Sequence, residues 1–154
     1  MSELQTIKVK HYVQMAHRLF QTAGACQNIH GHSWMVQLTL AGPVDHTGKL
    51  VGIDFGELKQ KFRSFLDNDY DHRVLLFEGD PWAGKLHIRD DVTDGWLTLP
   101  GLQRLECDPT TENFARIIGE WSVGKFGSPD IKFVEVGVWE TVTNYASWHW
   151  TAND

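Results

Sequence analysis

Residues 30–40 read HGHSWMVQLTL, and alternate positions, His30, His32, Trp34, Val36, Leu38 and Leu40, form one set that is apolar except at its start. A two-residue period belongs to a β-strand, whose successive side chains leave opposite faces. Upstream, IKVKHYVQMAH at 7–17 repeats the period, with Ile7, Val9, His11, Val13, Met15 and His17 on one face. TAGACQN at 22–28 supplies small and turn-forming residues between them, so the spacing predicts a hairpin with a long connection, its second strand ending near AGP at 41–43.

The period then changes. In IDFGELKQKFRSFLDN at 53–68, Phe55, Leu58, Phe62 and Phe65 follow helical spacing, and Asp54 with Glu57 makes a capping-box start, which predicts a helix over 55–67. PTTENFARIIGEWSVG at 109–124 repeats the logic: Pro109 and the threonines open it, Phe114, Ile117, Ile118 and Trp121 form the stripe, and Gly124 is the expected stop, giving a helix over 111–122. The tail IKFVEVGVWETVTNYASWHW at 131–150 reads as two strands around a turn at 142–144. Between His72 and Pro109 the chain is rich in Gly, Asp and Pro, and beyond one strand at 102–106 it is expected to be loop, an excursion at about 78–108. The predicted order is strand, strand, helix, helix, strand, strand. It implies one α+β domain over residues 1–154, an antiparallel four-stranded sheet with two helices on one face.

The 154 residues can bury a core without disulfides, and Cys26 and Cys107 are read as free thiols. Lys and Arg number 14 against 20 Asp and Glu, with no basic run, so nucleic acid is not an expected partner. No apolar run approaches a membrane span and MSELQTIKVKH has no signal-peptide core, which predicts a cytoplasmic protein without membrane attachment.

The polar residues on these apolar faces carry the chemistry. His30 and His32 leave the same strand face about 6.5–7 Å apart, a gap that two ligands of one metal close by tilting. Antiparallel pairing would set His17 beside them. Three neutral imidazoles with an open fourth position describe catalytic zinc, whereas a structural site usually closes its shell with cysteines. Lone histidines, His11, His46, His87 and His149, are read as ordinary polar residues. Cys26, four residues before His30, has two roles open: a ligand that closes the shell, or a thiol near a dication, acidified enough to act as base or nucleophile. Asp71 directly precedes His72, and such neighbours hydrogen-bond only in a turn or across a subunit boundary. Glu140 continues the apolar face of Val134, Val136 and Val138, so its carboxylate is either solvated beyond the strand or placed to accept parallel hydrogen bonds from a planar N–H and NH2 edge. Glu112 is a first-turn acid favourable to the helix dipole.

Together these residues resemble the 6-pyruvoyl-tetrahydropterin synthase family and, within it, the bacterial 6-carboxy-tetrahydropterin synthase branch. The matches run in order: AHRL with His17, C-x-x-x-H-G-H from Cys26 to His32, DF..LK from Asp54 to Lys59, DH at 71–72, PT.EN from Pro109 to Asn113, and ET at 140–141. The resemblance implies the tunnelling fold, with sheets of several subunits joined into a barrel, usually a homohexamer of two stacked trimers. It implies that His17, His30 and His32 bind Zn2+, that Cys26, Asp71 and His72 carry proton transfers, and that Glu140, with Thr110 and Glu112, binds a pterin. The implied reaction is a zinc-dependent carbon–carbon lyase reaction. It takes 7,8-dihydroneopterin triphosphate to 6-carboxy-5,6,7,8-tetrahydropterin, acetaldehyde and triphosphate, an early step toward queuosine and other deazapurines. Two alternatives stay open: the pyruvoyl branch, which eliminates triphosphate but keeps the side-chain carbons, and a pterin-binding protein of the same fold without chemistry. Arg18, Lys49 and Arg73 are the candidate cations for the triphosphate.

Overall fold

The computed structural model describes residues 4–90 and 95–152. In chain order its elements are β1 (Gln5–His17), β2 (His30–Gly42), α1 (Phe55–Asp69), β3 (Val74–Phe77), β4 (His87–Asp90), β5 (Gly95–Thr98), β6 (Leu102–Leu105), α2 (Thr111–Phe126), β7 (Phe133–Trp139) and β8 (Tyr145–Thr151). The stretch 91–94, inside the predicted excursion, lies outside the described residues.

The hairpin reading holds. β1 and β2 pair antiparallel without a break from Gln5 opposite Gly42 to His17 opposite His30. β2 pairs antiparallel with β7, and β7 with β8, so the four strands expected from the sequence are contiguous. The sheet is nevertheless six-stranded and mixed, in the order β6-β3-β1-β2-β7-β8, because β3 lies parallel to both β1 and β6. The expectation of a four-stranded antiparallel sheet is corrected there. Four apolar residues, Val74 to Phe77, show no alternation, and β3 meets β1 through only two residue pairs, Ala16 with Val74 and His17 with Leu75. The excursion also contains the two-stranded β4–β5 sheet, where sequence reading expected loop.

Both helices cover one face of the sheet. α1 buries Leu58, Phe62 and Leu66, and α2 buries Phe114, Ala115 and Ile118, against Val9, Val13, Trp34, Val36, Leu38, Leu40, Val134, Val136 and Val138. The Asp54 carboxylate caps α1 by accepting from Gly56 and Glu57 N–H, and the Thr110 hydroxyl caps α2 by accepting from Asn113 N–H. α1 runs two residues past its expected end. α2 does not stop at Gly124 but continues to Phe126, with Gly127 as its C-cap. A helical glycine costs only about 1 kcal/mol, and Val123 and Phe126 pack on the core while Lys125 faces the negative end of the dipole. Among the described residues no helix is long and apolar enough to cross a membrane. His11 bonds Asp67 of α1 at 2.6 Å, a polar tie between sheet and helix.

Close approach fixes one glycine. A Cβ on Gly119 of α2 would lie 2.0 Å from Cε3 of Trp148 in β8, and the next contacts are also with the body of the indole. Gly119→Ala gains about 1 kcal/mol of helix propensity but overpacks by about 1–3 kcal/mol. A net destabilisation is expected, read as a fall of about 2–4 °C in Tm per kcal/mol for a chain of this size.

Candidate active site

Strand register builds the first part of the site. His17 closes β1 opposite His30, which opens β2, and His32 follows on the same face. The three ring centroids form a near-regular triangle, 4.6 Å for His17–His30, 5.0 Å for His30–His32 and 5.3 Å for His17–His32. Their ligand atoms all lie within 4.8 Å of one another. Trp34, fully buried, forms the floor, its ring 4.9 Å from His17 and 5.6 Å from His32.

Hydrogen bonds fix which nitrogen each ring offers. His17 Nδ1–H donates to the Pro109 carbonyl at 2.7 Å, and His30 Nδ1–H donates to the Asn28 carbonyl at 2.8 Å. Each Nε2 is thereby left with its lone pair, and the two face each other at 3.1 Å. Burial, opposed by the Pro109 bond and helped by neighbouring His30, holds the His17 imidazole below its usual pKa, in its neutral, ligating form. His32 Nε2 is buried with no hydrogen-bond partner. Two opposed lone pairs beside an orphaned buried nitrogen are costly unless a cation satisfies all three. Outer carbonyls that orient ligating rings complete the arrangement expected of a zinc site. The residues present fit a divalent metal, and three nitrogens leave a position for an outside ligand.

Glu140 stands at this centre. Its Oε1 lies 3.3 Å from His17 Nε2 and 3.7 Å from His32 Nε2, and its other oxygen accepts from Asn144 Nδ2 at 3.3 Å. β7 has ended one residue earlier, but the Glu140 N–H still donates to the Asn144 carbonyl, so the turn holds the carboxylate inward rather than leaving it solvated. Next to the tripod opens a cavity of about 530 Å³ lined by Cys26, Thr110, Glu112, Glu140, Asn144 and Tyr145 among others. Four sequence-predicted residues thus share one cleft. Cys26 sits exposed on a 3-10 turn, Ala25–Gln27, and is not in the converging ligand group. Thr110 and Glu112 reach the cleft from the first turn of α2, where the hydroxyl also serves as cap.

Asp71 and His72 lie elsewhere. His72 has φ +58°, a left-handed turn conformation, and there the two neighbours do meet: Nδ1 of His72 is 2.5 Å from Asp71 Oδ2. Gln14 N–H donates to the other carboxylate oxygen at 2.8 Å. Burial pushes the Asp71 carboxyl up, yet these two bonds outweigh it and hold the group below the usual range. Gln14, Ala16, Gly31 and Ser33 alternate with the tripod residues along their strands; together with His32 itself, His72 and Arg73 they line a different cleft of about 550 Å³. Within one chain, the dyad and Cys26 do not share a cavity. Of the expected phosphate cations, Arg18 is bound by Asp80, Arg73 donates through Nη2 to the Asn68 carbonyl while its buried Nε has no partner, and Lys49 stands in the loop after β2, at the far end of the hairpin from the tripod. Sequence reading missed Asn144, Tyr145 and the carbonyls of Asn28 and Pro109. Backbone acceptors leave no mark in side-chain patterns.

Comparison with known proteins gives the family and the fold. The profile of the family described as 6-pyruvoyl tetrahydropterin synthase matches residues 6–149. A protein of Rickettsia bellii named 6-carboxy-5,6,7,8-tetrahydropterin synthase is 33% identical over 100 residues, covering 64% of this chain and 66% of that protein, just under two thirds of its length. The protein of the same name from Rickettsia typhi is 34% identical over the same shares. The crystal structure of 6-pyruvoyl tetrahydropterin synthase from Plasmodium vivax superposes with a TM-score of 0.74 at 20% identity, covering 98% of this chain and 100% of that one, a likeness of fold. With nearly the whole chain matched, and a histidine tripod beside a thiol- and carboxylate-lined cleft, this protein belongs to the 6-pyruvoyl tetrahydropterin synthase family.

Proposed function

We propose that the protein is a zinc-dependent carbon–carbon lyase that converts 7,8-dihydroneopterin triphosphate to 6-carboxy-5,6,7,8-tetrahydropterin, acetaldehyde and triphosphate, an early step toward queuosine. The observation that carries this reading is the convergence of the His17, His30 and His32 nitrogens beside Glu140, which shares a cleft with Cys26. The names of the Rickettsia relatives favour the carboxy product over the pyruvoyl one.

His17, His30 and His32 would hold a zinc ion, which supplies Lewis acidity toward the side-chain hydroxyls of the substrate. Glu140, anchored by Asn144, accepts the N–H and NH2 edge of the pterin, while Thr110 and Glu112 line the approach. Cys26, which lines the cleft with Glu140, is the base that takes a proton from the side chain. Asp71 accepts from Nδ1 of His72, which fixes the tautomer and leaves Nε2 to exchange protons. Because His72 lines a cleft that contains neither Cys26 nor Glu140, we assign the dyad to the site of a neighbouring copy. Sheets of several copies would then close into a barrel, a hexamer of two trimers, which also covers the open edges at β6 and β8.

Incubating the purified, zinc-loaded protein with 7,8-dihydroneopterin triphosphate and following products by mass spectrometry tests the reading. Acetaldehyde and 6-carboxytetrahydropterin in equal amounts are expected. A pyruvoyl product without acetaldehyde would assign the other branch, and pterin binding without turnover would assign a binding protein.

A further inference from the structure

Residues 21–29, which carry Cys26, are exposed throughout, and the 3-10 turn within them buries nothing. Apolar packing therefore does not decide where the thiol stands. Hydrogen bonds from the end of β1 do. Leu19 N–H donates to the Cys26 carbonyl at 2.8 Å, and the Arg18 guanidinium donates through Nη1 to the next carbonyl, that of Gln27, at 3.0 Å.

Arg18 is itself held from behind. Its Nε donates to Asp80 Oδ2 at 2.8 Å, and the Asp80 side chain is 0% exposed. The guanidinium lies over the Trp82 ring, 3.7 Å from its centroid. The second Asp80 oxygen accepts from Trp82 N–H at 2.8 Å, so carboxylate and indole are one unit. Phe20 stacks on Phe77 at 5.9 Å where the excursion begins, which keeps this unit against the loop. Asp108 adds a second carboxylate to the cluster, its acidity weakened by burial. A cation so placed is compensated on the inner side and directs a further donor at the Cys26 turn.

We propose that Arg18 is a positioning residue for Cys26, and that Asp80 and Trp82, both from the 78–108 excursion, are the anchor through which it acts. The excursion is thereby part of the catalytic apparatus. Only a planar fork reaches a carboxylate, a carbonyl and a ring face at once; a lysine ammonium keeps the charge and the pairing with Asp80 but not the three-way geometry. The role assigned to Cys26 rests on the proposed function, whereas the anchoring of its turn does not.

The test compares wild type with Arg18→Lys as full-length, zinc-loaded protein, by amide hydrogen exchange and by steady-state kinetics. Loss of one charged hydrogen bond should speed exchange in peptides covering 19–29 by about tenfold or more, with peptides of α1 and β7 unchanged. Displacement of the thiol by about 1 Å should lower kcat by about 100-fold, with KM and zinc content retained. Unchanged exchange over 19–29 overturns the proposal, as does faster exchange with unchanged kcat, since the turn would then be tethered without serving the thiol. A lowered Tm with kcat intact marks a merely structural Arg18 and also overturns it. Should Arg18→Lys not fold, Asp80→Asn, which keeps shape and an acceptor oxygen, is read the same way. If wild type shows no turnover, the proposed function fails, while the exchange comparison still decides the anchoring.

Discussion

Cys26→Ala is expected to lower turnover of 7,8-dihydroneopterin triphosphate by about 10²–10⁴-fold, the range for removing a general base, while zinc content and pterin affinity stay at wild-type values. The reason is positional. The thiol lines the cleft with Glu140, Thr110 and Glu112, yet the converging ligand atoms are imidazole nitrogens alone. Removing it takes away a proton acceptor without opening the metal centre or disturbing the core, since its turn buries nothing. Kinetics, zinc analysis and fluorescence titration with a pterin, made on one preparation, check this. A Cys26→Ala protein that loses zinc would make the thiol a ligand and the site a closed structural one.

His32→Ala should be as damaging to function and have an opposite sign in stability. Its Nε2 is buried without a partner, so in metal-free protein the ring brings an unsatisfied polar atom to the core edge. Deleting it relieves that penalty of about 1–3 kcal/mol, and the metal-free variant is expected to melt at or above metal-free wild type. With zinc present the order reverses. Wild type gains stability from binding in the folded state alone, and the variant, short of one ligand, loses at least the 10–100-fold in affinity seen for mere outer-shell changes. Melting curves with and without zinc, beside turnover, check both halves. If His32→Ala destabilised the metal-free protein and bound zinc normally, the nitrogen would be a structural partner and not a ligand.

Much of this was legible in the sequence because the decisive residues sit in long periodic strands. Alternation over 7–17 and 30–40 marks β1 and β2, and their antiparallel register sets His17 opposite His30. Glu140 was legible as an intruder on an apolar face. β3 was not, since four buried apolar residues have no period to read and its pairing to β1 is non-local and parallel. That missing strand mattered. It follows the Asp71–His72 turn and pins it to β1, and without it the place of the dyad beside Gln14 could not be derived. The end of α2 is not legible at Gly124, because packing by Val123 and Phe126 outweighs the modest helical cost of a glycine. Arg18 was considered for the triphosphate; its partners, Asp80 and Trp82, lie more than sixty residues away, beyond any local pattern.

Everything proposed for this site requires His17, His30 and His32 to bind one divalent metal that activates an outside ligand. Crystals of protein purified without chelators, measured across the zinc absorption edge, test this. One anomalous peak per chain is expected within about 2.1 Å of all three Nε2 atoms, with turnover lost on exhaustive chelation and restored by zinc. A peak elsewhere, no peak in fully active protein, or full turnover after chelation would contradict it.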